Sequence, residues 1–334
     1  MKRRIFVRNL ALAGAGIGTF GINACSPSTS NSTEESQSSE TTSFEPFFKL
    51  SLAQWSIHRM IQQNGLDPYQ FAAKAKGWGF EGLEYVSQLY MSKEESMGGE
   101  GFTTRLDSMV TQLKAEAASN DMKSLIMMMD LADDTGDLAW SDDAMRKRAV
   151  EAHFPWIEAS SEIGCHSVRI NLFGEQERDK WKSAAVKALA DLGEYASGKN
   201  INVIVENHGW LTSDAALLME AINEVGMENV GTLPDFGNFC TKRKDGSRWG
   251  ECVEEYDKYK GVKELMPAAK AVSAKAYDIE NGQTSIDYVK MLQIVKDAEY
   301  TGYIGVEYEG DNLGEEEGIL ATKNLLIESA KKLS

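Results

Sequence analysis

From Phe48 onward the chain alternates between two kinds of segment. Short runs rich in β-formers ("KLSLAQW", "EGLEYV", "KSLIMMM", "HSVRINLF", "NVIVEN", "VGTLPDF", "AVSAKAYD", "YIGVEYE") are each followed by a longer amphipathic stretch such as "TTRLDSMVTQLKAEAASN" or "SDAALLMEAINEVG". Helix starts are marked by Asp67 with Pro68, Ser141 with Asp142, Ser213 with Asp214, and Ser285; stops are marked by Gly79, Gly164, Gly226 and Gly302. Eight strand–helix units in one unbroken series predict a parallel sheet closed as a single-domain (β/α)8 TIM barrel, with a doubly wound sheet as the alternative.

In such a barrel the chemistry gathers at the C-terminal ends of the strands. A strand alternates its faces with period two, so in "INVIVENH" Val203 and Val205 turn to the helices while Ile204, Glu206 and His208 turn to the axis. The same parity directs Glu84, Arg169 with Asn171, Asp235, Lys275 and Glu307 inward. Two carboxylates about 4 Å apart repel by roughly 4 kcal/mol at an effective dielectric near 20. Glu206, Asp235 and Glu307 therefore need compensation at a shared mouth. A proton, a cation, or Lys275 and Arg169 can supply it; a hard divalent cation, Mg2+ or Mn2+, is the economical solution, and a closed salt-bridge network centred on Lys275 is the alternative.

The order of strand-end groups, Glu in "VIVENHG", Asp in "TLPDFGNF" and Glu in "IGVEYEG", resembles the xylose isomerase-like barrels of the sugar phosphate isomerase/epimerase type, and the resemblance covers residues 48–333. It implies one divalent cation held by Glu, Asp, His and Glu from strands five to eight, with the two glutamates flanking the carbon whose proton moves. Glu206, Asp235 and Glu307 fall on the metal positions. The sequence departs from that pattern twice. Lys275 in "KAYD" stands where the seventh-strand histidine is expected, and Asn238 in "DFGN" replaces a histidine after the sixth strand. A protonated lysine cannot ligate a metal. The expected catalytic groups are Glu206, Glu307, His208 and Lys275; the expected substrate contacts are Arg169, Asn171, Asn238, Glu84, Trp55 and His58. Trp210 and Phe236 also stand near strand ends, whereas His153 and His166 read as packing residues.

The N-terminus changes the picture of where this barrel works. Lys2, Arg3, Arg4 and Arg8 precede an uncharged run ending in "GINAC", so residues 1–25 read as a twin-arginine-like export signal with a lipobox and lipidation at Cys25. Residues 26–45 are read as a disordered tether, because most of that stretch is Ser, Thr and Glu, and residues 46–334 as the barrel. Loss of the signal takes four positive charges and moves the formal charge from -16 to -20, which disfavours nucleic acid as a partner. The expected location is the periplasm or cell envelope, with the membrane reached only through the lipid anchor; a homo-oligomer is left open. Cys165, Cys240 and Cys252 are read as free, partly buried thiols, with a Cys240–Cys252 disulfide as the alternative. The expected activity is isomerisation, epimerisation or β-elimination of a neutral keto sugar or glycoside. The alternative is a non-catalytic carbohydrate-binding lipoprotein on the same fold.

Overall fold

The computed structural model describes residues 44–334; the expected signal with Cys25, and the tether up to residue 43, lie outside the described residues. The compact unit runs from Phe44 to Ser334, and Phe44 itself packs against the core. Eight strands form one parallel sheet: β1 (Lys49–Ala53), β2 (Gly82–Val86), β3 (Lys123–Met128), β4 (Ser167–Ile170), β5 (Asn202–Glu206), β6 (Val230–Leu233), β9 (Val272–Ala276) and β10 (Tyr303–Tyr308). Their order is β6-β5-β4-β3-β2-β1-β10-β9. Parallel bridges Thr232–Ala269 and Asp235–Ser273 join β6 to β9, so the sheet closes on itself as a TIM barrel. A separate antiparallel hairpin, β7 (Cys240–Arg243) with β8 (Cys252–Glu255), is inserted after the sixth barrel strand.

Helices α1 (His58–Gln62), α2 (Phe71–Gly77), α3 (Phe102–Ser119), α4 (Asp143–Ile163), α5 (Arg178–Ser197), α6 (Ala215–Val225), α7 (Lys258–Leu265), α8 (Tyr288–Asp297) and α9 (Glu315–Lys331) connect the strands. The punctuation residues act as their chemistry requires. Asp142 and Asp214 accept the Met145 and Leu217 amides as N-caps, and Gly164 and Gly226 end α4 and α6 at φ of 94° and 63°, where a side chain would be strained. Two expected boundaries shift. α8 is capped by Asp287 rather than Ser285, and it ends at Asp297, well before Gly302. Asp287 accepts the Lys290 amide and so supplies the stronger cap.

Strand parity is as the pattern predicts. Val203 and Val205 belong to the apolar layer between sheet and helices, while Ile204 joins Ala53, Val86, Ile126, Met128 and Leu233 in a second, interior cluster. Each fully buried aliphatic side chain of this kind contributes roughly 1.5–3 kcal/mol. The interior cluster forms the floor, and polar groups follow it along the strands. Among the described residues no helix is long and apolar enough to cross a membrane.

Candidate active site

β5 ends at Glu206, and the next residue fixes the corner. Buried Asn207 donates from Nδ2 to the Asp235 and Asn238 carbonyls at 3.0 and 3.2 Å, and its Oδ1 accepts the Asp235 amide at 2.7 Å. The amide in "VENH" thus ties the fifth strand to the sixth. Asp235 in turn accepts the Gly237 and Asn238 amides on Oδ1, at 2.8 and 2.7 Å. Its Oδ2 accepts the Ser273 hydroxyl at 2.7 Å, and the same hydroxyl lies 3.0 Å from Glu307 Oε2. Asn238 donates to Glu206 Oε1 at 3.1 Å and accepts the Tyr277 hydroxyl at 2.6 Å.

Two buried cations organise the carboxylates. Arg169 Nε lies 3.1 Å from Glu206 Oε2, an ion pair without hydrogen-bond alignment, and its Nη1 donates to Asp130 Oδ1 at 3.3 Å and to Asn171 Oδ1 at 3.0 Å. Lys275, fully buried, lies 3.0 Å from Glu307 Oε2 and 3.9 Å from Asp235 Oδ2 and donates to Glu309 Oε1. Burial opposes the Lys275 ammonium, but Glu307, Glu309 and Asp235 outweigh it and hold its pKa well above the ordinary value. Despite burial, Arg169 and His208 keep Asp130 below the usual carboxylate range, and Lys275 does the same for Glu309. Glu307 and Asp235 go the other way. Burial, reinforced by the charge of Glu206, pushes them up to about 8 and about 7 although Lys275 is adjacent.

Asn171 sets the state of His208. Its Nδ2 donates to Asp130 Oδ1 at 2.7 Å, which leaves Oδ1 facing His208 Nδ1 at 2.9 Å. Burial, helped by Arg169 and Lys275, lowers the His208 pKa, so the ring is neutral at pH 7. With Oδ1 an acceptor, Nδ1 carries the proton and Nε2 is left as an acceptor.

A cavity of about 380 Å³ opens on this cluster, in the range of small-molecule sites. Of the expected residues, Trp55, Arg169, His208 and Glu307 line it. Glu206, Asp235, Lys275, Asn171 and Asn238 belong to the same network without lining the cavity. Two expected substrate contacts are displaced. Glu84 is mid-strand and fully buried, accepts the Ser51 hydroxyl at 2.6 Å and sits against Gly305, because period two gives a residue's face and not its depth. Burial raises its pKa to about 7. His58 contacts the Trp55 carbonyl at 2.6 Å and stacks on the Trp55 ring at 4.4 Å; it braces that wall from outside the cavity. His153 and His166 pack as expected, against the Ala149 carbonyl and the Ser167 hydroxyl.

Asp130, Glu309 and Trp249 line the cavity and were not foreseen. Asp130 follows the run "KSLIMMM" directly, and Glu309 shares the parity of Glu307, so both carried a signal. Trp249 comes from the inserted hairpin. The Cys240–Cys252 pair closes that hairpin as a disulfide, correcting the reading of both as free thiols; among the described residues Cys165 alone is free, and it is buried. The hairpin brings their Cα atoms to 5.8 Å, a proximity that a spacing of 12 along the chain does not reveal.

Carboxylate oxygens of Glu206, Asp235 and Glu307 lie within 4.8 Å of one another, close enough to converge on one cation. The ammonium, however, already stands against two of the three. Bringing a doubly charged ion within about 4 Å of it would cost roughly 8 kcal/mol at an effective dielectric near 20. A protonated amine also offers no lone pair as the fourth ligand. With Lys275 protonated, the residues present do not fit a four-ligand divalent centre, and the positive charge is supplied by the chain itself.

Residues 72–329 match the model of the xylose isomerase-like TIM barrel family, and the chain belongs to that family. No curated protein matches the sequence as a relative. Among solved structures, D-psicose 3-epimerase from Clostridium cellulolyticum H10, crystallised with D-tagatose, superposes with a TM-score of 0.60 at 14% identity, covering 85% of this chain and 96% of its own. The 3-keto-D-glucoside 4-epimerase YcjR from E. coli superposes with a TM-score of 0.59 at 13% identity over 84% of this chain and 98% of its own. The IOLI protein, solved with a zinc atom, gives a TM-score of 0.59 at 14% identity over 85% and 99%. At these identities the likeness establishes the fold.

Proposed function

We propose that this protein is an exported enzyme that moves a proton on the carbon next to the carbonyl of a neutral keto sugar or glycoside. The observation that carries the reading is Glu307: a carboxyl raised to about 8, lining the same cavity as the Arg169 guanidinium. A proton-transfer group is most effective when its pKa lies near the working pH. In the reaction the C–H bond breaks, its proton passes to the Glu307 carboxylate, and the electron pair forms a C=C bond while the carbonyl oxygen gains negative charge. Arg169, fixed by Asp130 and Glu206, stabilises that oxygen. His208 Nε2 accepts a sugar hydroxyl and orients the ring.

Return of the proton to the former carbonyl carbon, with the hydroxyl proton of the adjacent carbon passing to the former carbonyl oxygen, isomerises the sugar; return to the opposite face of the same carbon epimerises it; departure of a β-substituent, as the carbonyl re-forms, completes an elimination. Glu309 and Asp130, both on the cavity wall and both held below the ordinary carboxylate range, are ionised and serve as acceptors of a hydroxyl proton in the second transfer. Lys275 acts from behind as the counter-charge for Glu307 and Glu309, in the place where a divalent cation, Mn2+ or Mg2+, was expected. The family and its sugar-epimerase neighbours support the substrate class. Export is supported by the N-terminal pattern and by the disulfide, since such bonds persist in oxidising compartments, and a lipid anchor at Cys25 by the "GINAC" pattern alone.

Incubation with a panel of keto sugars and keto glycosides in D2O, read by NMR, tests the reading. Deuterium should enter at the carbon next to the carbonyl, and Glu307→Gln should stop it. Sugar binding without exchange in the wild type would support the non-catalytic carbohydrate-binding alternative instead.

A further inference from the structure

Trp249 is 56% exposed, yet its surroundings are built to hold it. It sits in the loop between β7 and β8, whose strands are joined by the Cys240–Cys252 disulfide. Next to it, Arg248 reaches Asp133 at 3.0 Å and Asp137 at 2.7 Å on the loop after β3, and its guanidinium lies 4.3 Å over the Phe173 ring. Arg243 donates to the Gly250 carbonyl at 2.8 Å, and Trp210 Nε1 donates to the Ser247 carbonyl at 3.3 Å. The indole meets Phe173 edge-on at 5.7 Å and His208 at 5.1 Å with the two ring planes tilted by 58°, so it packs against the imidazole that the proposed mechanism uses.

A loop crossed by a disulfide, two ion pairs and a stacked guanidinium keeps its tip in place, and what the tip presents is a large aromatic surface at the rim of a sugar-sized cavity. Such a rigid aromatic surface binds at low entropic cost, because the residue is already ordered before the ligand arrives. The apolar C–H face of a pyranose is the complementary partner. The depth of the site fixes which ring this is. Arg169 and Glu307 are nearly buried in the inner part of the cavity, whereas Trp249 stands in solvent at its edge. Lys93, also on the cavity wall, is tied at 3.1 Å to the same Asp133 that holds Arg248, which places a hydroxyl-binding ammonium beside the platform.

We propose that Trp249 forms an outer subsite on which the second sugar ring of a glycoside stacks while the keto-bearing unit occupies the inner cavity. The protein therefore prefers keto disaccharides over keto monosaccharides. This rests on the reading of the cavity as a keto-sugar site.

Calorimetric titration of the full chain with D-fructose and with three of its glucosylated forms, turanose, maltulose and isomaltulose, tests it. The expected result is at least tenfold tighter binding of one or more disaccharides than of fructose, about 1.4 kcal/mol. Trp249→Ala should cost the disaccharides at least tenfold more affinity than it costs fructose, and Trp249→Phe should retain most of the advantage. Equal affinities in the wild type, or an advantage that survives Trp249→Ala, would overturn the outer subsite while leaving the keto-sugar reading in place. Failure of all four sugars to bind would overturn both.

Discussion

Arg169 on β4 and Lys275 on β9 both meet carboxylates from neighbouring strands, but only Arg169 lines the cavity. The planar guanidinium divides its nitrogens among Glu206, Asp130 and Asn171 and still presents a face to a ligand. The ammonium of Lys275 is a compact charge, and three carboxylates consume it. One cation thus faces the cavity, and the other keeps acidic groups together. The difference also explains why Glu307 differs from Glu309. Both contact Lys275, but Glu307 is the more strongly opposed by burial and by Glu206, so it sits high while Glu309 sits low.

Substitution on each wall should break this comparison in a characteristic way. The largest expected effect is on chemistry: Glu307→Gln should lower kcat by about a thousandfold, the middle of the range for a lost acid–base group, with little change in KM. Next, Lys275→Met strands buried carboxylates and should cost about 3–5 kcal/mol in urea unfolding. Arg169→Lys keeps the charge but loses the fork, and should lower kcat by roughly a hundredfold with a smaller loss of stability.

A pH signature sharpens the same comparison. Glu307 and Asp235 have folded-state values of about 8 and about 7 against ordinary values of 4.5 and 3.8, so between those limits the folded chain holds more protons than the unfolded one. Their contribution is complete below about pH 4 and is lost as pH rises through 7 and 8. Melting temperature should fall over that window while kcat/KM, which needs ionised Glu307, rises toward a plateau above pH 8. Asp235→Asn should flatten part of the stability slope; an unchanged slope would contradict the burial argument.

Much of this was legible in the pattern of residues. The barrel follows from alternation of strand-like and helical runs, and the inward set Arg169, Glu206, Asp235, Lys275 and Glu307 follows from period two. The substitution of Lys275 for a ligand was also visible. Depth was not: Glu84 has the right parity but sits at a middle layer of β2, where Val86 is the residue that reaches the cavity. Glu309 shares the parity of Glu307, and parity alone does not say that two residues of one strand both reach the cavity. Trp249 and the disulfide lie in an insertion whose fold-back depends on tertiary contacts between Arg248 and the loop after β3, and local sequence carries no record of such pairing.

The central claim is that Lys275 supplies, from within the chain, the positive charge that holds Asp235 and Glu307 together, while Arg169 holds Glu206 beside them. Titration of Mn2+ into wild type and Lys275→Met, followed by calorimetry and by thermal melts, tests it most directly. The account predicts no binding by the wild type at submillimolar Mn2+, and binding by the variant that recovers stability, by about 2.7 kcal/mol when free Mn2+ reaches a hundred times Kd. Tight Mn2+ binding by the wild type, left unchanged or weakened in Lys275→Met, would contradict it.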